Sequence, residues 1–186
     1  SKVRILHYGD SQIEGDRISS YLRDKLQKEF GGRGPGYAPP INQVPSMSLK
    51  QDNSENWIRY TIFGRKDTTV KHKEYGLYGI FGRFTPYSND TLPKDSVKAW
   101  ITFDRSNIGY SGTRVYRTAT MLYGNVKEPF KLSVYSNDEL IYSEVLSGST
   151  NNEKVKWSFR STPKALRFEF EGTESPDIYA FRFEDS

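Results

Sequence analysis

Leu166-Arg167-Phe168-Glu169-Phe170 alternates apolar and charged residues over its whole length. Successive side chains of a strand point to opposite faces, so this run predicts a half-buried β-strand with three hydrophobes on one side. Val155-Lys156-Trp157-Ser158-Phe159 repeats the pattern upstream, and Ile178-Tyr179-Ala180-Phe181 repeats it downstream with a slip of register.

Working outward from these runs, residues 57–63, 77–84, 97–103, 115–122, 130–136, 139–145, 154–160, 164–170 and 178–184 all read as strands. Asn137-Asp138 and Ser161-Thr162-Pro163 read as hairpin turns, since Asn, Asp, Ser and Pro favour turn backbones. Short strands of this spacing, with no helical segment among them, predict a mainly β fold: an antiparallel, jelly-roll-like β-sandwich.

Composition agrees with a packed fold. Mean hydropathy is −0.74, which alone would suggest disorder, but 13 Tyr, 11 Phe and 3 Trp in 186 residues supply a core. No Cys is present, which excludes disulfides, thiolate metal sites and a thiol nucleophile. The 27 basic and 23 acidic residues are interspersed, with no basic stripe, so nucleic acid is not an expected partner. No apolar run approaches the ~20 residues of a membrane span. There is no phosphate-cradling glycine motif, and Asp10, Glu14 and Asp16 lack calcium-loop spacing, so neither a cofactor nor a metal is expected.

The chain before residue 45 reads differently. Residues 3–8 form a strand candidate. A helix fits residues 17–30, with Ile18, Tyr21, Leu22, Leu26 and Phe30 on one stripe, Asp16 as N-cap and Gly31-Gly32 as the stop. Residues 31–40, rich in Gly and Pro, read as an irregular connection. The expected division is a strand–helix segment at 1–45 and a β-sandwich at 46–186.

Gly9-Asp10-Ser11 lies between that strand and that helix, where a strand's carboxyl end and free helix N–H groups could serve a nucleophile. The stretch from Leu6 through Gly15-Asp16, Leu22, Leu26 and Phe30-Gly31-Gly32-Arg33-Gly34-Pro35-Gly36 resembles the first motif block of the SGNH (GDSL-like) hydrolases. It is most similar to a bacterial branch of peptidoglycan O-acetylesterases with an inserted β-sandwich. The resemblance implies a strand–helix piece of an α/β SGNH-type fold ahead of the sandwich. It makes Ser11 the nucleophile, with its backbone N–H as an oxyanion donor, and Asp10 a supporting residue. It also implies an extracytoplasmic location: secreted, periplasmic or cell-surface.

Such a serine needs a base, which that family supplies from a later Asp-x-x-His block. The two histidines here are His7 and His72. His7 is four residues before Ser11, roughly 13 Å away on an extended strand. His72, in Lys71-His72-Lys73, reads as a solvated histidine in a basic loop over residues 65–73. The expectation is therefore the first block plus an inserted module, ahead of the rest of an esterase domain.

Aromatics at alternating positions, such as Trp157, Phe159, Phe168 and Phe170, read as core. Tyr75, Tyr78, Tyr87, Tyr110 and Tyr116 lie near Gly or in loops, where exposed rings could stack on sugars, though core packing is favoured. Two functions follow. One is the N-terminal part of a serine ester hydrolase that deacetylates O-acylated polysaccharide or peptidoglycan through Ser11. The alternative is a non-catalytic carbohydrate-binding or interaction module.

Overall fold

A computed structural model describes residues 4–65, 67–87, 95–148 and 151–185. Two antiparallel sheets stack face to face. The first runs β3 (Ile58–Thr61), β4 (Ile80–Arg83), β11 (Asp177–Asp185), β6 (Thr118–Gly124), β9 (Glu153–Ser158), with β1 (Arg33–Ala38) beside the C-terminal half of β11. The second runs β2 (Leu49–Asn53), β5 (Val97–Arg105), β10 (Ala165–Gly172), β7 (Phe130–Ser136), β8 (Glu139–Leu146).

The mainly β antiparallel sandwich expected from the alternation is the fold observed. Leu166, Phe168 and Phe170 all point inward and are buried. Phe168 meets Phe181 of the facing sheet at 4.8 Å between ring centres, and Phe103 meets Phe181 and Phe183 at the same distance. Such tilted aromatic pairs add about 0.5–1.5 kcal/mol each beyond the area they bury. The slip in Ile178–Phe181 is a bulge in the pairing of β11 with β6. It turns Tyr179 to the outer face, where Tyr60, Tyr75, Phe81 and Tyr179 form a second, smaller core.

Asn137 and Asp138 both have positive φ (50° and 67°), as a tight two-residue hairpin turn between β7 and β8 requires. Ser161-Thr162-Pro163 is not a hairpin. It joins β9 in the first sheet to β10 in the second, so the chain crosses the sandwich there.

Two strands went unanticipated. β2 is a mostly polar edge strand, Leu49-Lys50-Gln51-Asp52-Asn53. β1 is the Gly- and Pro-rich stretch read as an irregular connection. Gly34 explains it: with φ 104°, its Cα passes so close to β11 that a Cβ would lie 2.5 Å from the Phe183 carbonyl oxygen. A composition that looks like a loop is what lets this strand approach. A short 3-10 turn, Ser111–Arg114, also interrupts the β region.

The N-terminal strand is not formed. Residues 4–9 are without regular structure, and residue 3 lies outside the described residues. A strand needs a neighbour for its N–H and C=O groups, and neither sheet supplies one. The expected strand–helix piece of an α/β fold is therefore reduced to its helix, α1 (Arg17–Phe30), which occupies the predicted residues. Asp16 does not cap it through its side chain. Asp16 has φ 66°, and its carboxylate takes two hydrogen bonds from Arg23 (2.8 and 3.0 Å) and a short one from the Ser48 hydroxyl.

Candidate functional site

Ser11 and Asp10 lie beside a cleft of about 1730 Å3 between the N-terminal segment, α1 and the first sheet. Ser11 is exposed and opens a 3-10 segment, Ser11–Asp16, that is kinked at Glu14 and Gly15. Asp10 Oδ1 accepts a hydrogen bond from the Gln12 amide at 2.9 Å, which makes it the cap of that turn. Among the described residues no hydrogen bond is made to the Ser11 hydroxyl. His7 is exposed, and His72 is committed elsewhere.

That commitment revises the reading of His72 as a solvated loop residue. His72 leans on the Phe81 and Tyr87 rings, at 5.3 and 5.8 Å between centres. Its Nδ1 accepts from the Glu74 amide at 3.1 Å, so Nε2 carries the proton. Nε2 lies 3.0 Å from Asp177 Oδ2 and 2.9 Å from the Tyr87 hydroxyl. Asp177 is fully buried and also takes hydrogen bonds from Arg83 Nη1 (2.9 Å), the Tyr87 hydroxyl (2.9 Å) and Asn125 Nδ2 (2.8 Å). Arg83 reaches Glu174 at 3.2 Å, and Lys127 reaches Glu174 at 3.4 Å. The donors and acceptors satisfy one another, so this cluster ties the loops at one end of the sandwich together and leaves Asp177 no lone pair for a ligand. Burial and the Asp177 carboxylate push the Tyr87 phenol well above its ordinary pKa.

The other tyrosines singled out from sequence divide. Tyr75 and Tyr116 are buried; Tyr78 and Tyr110 are exposed.

The outer face of the second sheet offers different chemistry. Along β5, Ala99, Ile101 and Phe103 point into the core, which sends Lys98, Trp100 and Thr102 outward. Trp100 pairs with Glu169 of β10, which pairs with Ser133 of β7. The next row is Thr102, Arg167 and Tyr135. Arg167 places its guanidinium 4.6 Å from the centre of the Trp100 ring, within cation–π reach, and its Nε donates to Glu169 Oε1 at 2.7 Å. Ser133 and Ser143 share a hydrogen bond at 3.0 Å. A partly exposed indole thus sits among a guanidinium, a carboxylate and hydroxyls on a rigid sheet. Strands are about 4.8 Å apart and successive rows about 6.8 Å apart along a strand, so the patch from Trp100 to Tyr135 spans roughly 12 Å. Sequence reasoning missed Trp100. The signal was present in the alternation of Ala99, Ile101 and Phe103, which leaves Trp100 on the opposite face.

Among the described residues no group of His, Asp and Glu is placed to hold a metal ion, and no helix is long and apolar enough to cross a membrane.

No family model and no curated protein matches the chain. Similar solved structures include a family 35 carbohydrate-binding module from Paenibacillus barcinonensis: 14% identity, 73% of this chain, 93% of that one, TM-score 0.44. They also include the K1 cleaved adhesin domain of Lys-gingipain from Porphyromonas gingivalis: 9% identity, 81% and 97% coverage, TM-score 0.47. A family 6 carbohydrate-binding module follows at 10% identity, 73% and 87% coverage, TM-score 0.41. Likenesses this distant assign neither a family nor a ligand. The SGNH resemblance of the N-terminal block is corrected by the same comparisons. No model of that family matches. Structurally, residues 4–9, which would lead into Asp10-Ser11 as a strand, form none among the described residues.

Proposed function

We propose that this chain is a non-catalytic carbohydrate-binding module, and that the outer face of the second sheet holds the glycan. The observation that carries the reading is Trp100, an indole held on a rigid strand beside Arg167 and Glu169. The apolar face of a sugar ring packs on an indole, and its hydroxyls are hydrogen-bonded by flanking carboxylate, guanidinium and hydroxyl groups. Both partners are preorganised by the sheet, which lowers the ordering cost of binding. Arg167 lies against the ring in the free protein, so glycan and guanidinium share or exchange the indole surface.

The partner on this reading is a polysaccharide, and the sandwich from residue 46 onward carries the face. The experiment is a glycan array of bacterial cell-wall, plant and host polysaccharides, probed with the whole chain and followed by calorimetry on the hits. Binding that falls at least tenfold in Trp100→Ala supports the assignment. Binding that is indifferent to Trp100 removes the site.

A further inference from the structure

α1 is docked the opposite way round from an ordinary surface helix. Its buried positions are polar: Ser20 is fully buried, Asp24 nearly so, and Gln27 Nε2 donates to the Gly34 carbonyl at 2.9 Å. Its apolar stripe faces outward. Ile18, Leu22 and Leu26 recur at every fourth residue, with Tyr21 and Phe30 alongside, and all five are exposed. Leu22 and Leu26 each follow a buried polar residue by two positions, about 200° around the helix, so they lie far from Ser20 and Asp24, and with Phe30 they form one wall of the cleft.

The exposed surface is too large for an idle face. Ile5, Leu6 and Tyr8 adjoin the stripe across the cleft, and these side chains are 38–80% exposed. Counting ~200 Å2 per large side chain, they present on the order of 800 Å2 of apolar surface. That exceeds the ~300–600 Å2 patch an ordinary monomer shows and equals what one partner contributes to a standard interface.

We infer that this face is the interface of a symmetric homodimer, in which α1 packs antiparallel against α1 of a second copy. The stripe is self-complementary about its centre. Antiparallel packing sets Leu22 against Leu26 of the second copy and Ile18 against Phe30. It opposes the two helix dipoles. The same residues on both copies close the contact, so association stops at two.

Light scattering coupled to size exclusion tests this on the whole chain at about 100 μM. The expected mass is twice the 21.5 kDa of one chain, falling to 21.5 kDa in Leu22→Glu plus Leu26→Glu with the melting temperature unchanged when both proteins are measured as monomers by dilution. Val145→Glu, an exposed apolar position on β8, leaves the dimer intact. A wild-type mass of 21.5 kDa at that concentration overturns the inference and leaves the face to a different polypeptide. So does a dimer that survives the double substitution.

Discussion

Arg83 and Asp177 form an ion pair with neither side chain exposed to solvent, Nη1 to Oδ1 at 2.9 Å. The pair joins β4 to the first residue of β11. Breaking a buried pair by removing one partner strands the other charge, which costs about 3–5 kcal/mol. Arg83→Met is therefore expected to lower the free energy of urea unfolding by about 3 kcal/mol, the hydrogen bonds from Tyr87, Asn125 and His72 offsetting part of the loss. A loss under about 1 kcal/mol would mean that the loop end of the sandwich does not depend on this pair.

Two tyrosines give opposite expectations for the same substitution. The Tyr87 hydroxyl donates to Asp177, and Tyr87→Phe is expected to cost about 1–3 kcal/mol. The Tyr116 hydroxyl is buried with no hydrogen-bond partner among the described residues, so Tyr116→Phe is expected to be neutral or to stabilise by about 1 kcal/mol. Equal losses in the two variants would contradict the hydrogen-bond assignment.

These phenols also set an alkaline limit. Burial raises Tyr60, Tyr87, Tyr116 and Tyr179 above the ordinary value near 10, and Tyr142 is pushed up to about 12. With the folded-state pKa raised, the unfolded chain loses protons first as pH rises, so stability is full below about pH 10 and declines above it. Denaturant titrations at stepwise higher pH should show a plateau and then a fall. Absorbance at 295 nm should report these phenols ionising together with unfolding. Independent ionisation of all thirteen tyrosines near pH 10, with the fold intact, is the opposing result.

Much of this fold was legible because burial is written into alternation. The inward series Leu166, Phe168, Phe170 could be read directly, as could the bulge at Ile178–Phe181. β1 was hidden because Gly34, Pro35 and Gly36 carry loop chemistry while serving a close strand contact. The position of α1 was legible but its orientation was not, since an apolar stripe says that a face wants cover and not which body covers it. His72 and Asp177 lie far apart in sequence, and no local pattern announces their contact. Trp100 could have been found by asking which large side chain the core alternation of β5 leaves outside.

Ser11 carries a separate expectation. Among the described residues no strand lies beneath it and no base is bonded to it, so we expect its hydroxyl not to be activated within this chain. The rate of p-nitrophenyl acetate hydrolysis by the whole chain should equal that of Ser11→Ala. A rate in the parent at least tenfold above the variant would reinstate a nucleophilic serine.

Calorimetry of wild type and Trp100→Ala against an array-selected polysaccharide decides whether the Trp100 face binds carbohydrate. A central aromatic contact is worth about 2 kcal/mol or more, so affinity should fall roughly 30-fold or more while the unfolding transition stays in place. Equal affinity in the two proteins, or no glycan bound by the wild type, would rule out the Trp100 face as a carbohydrate site.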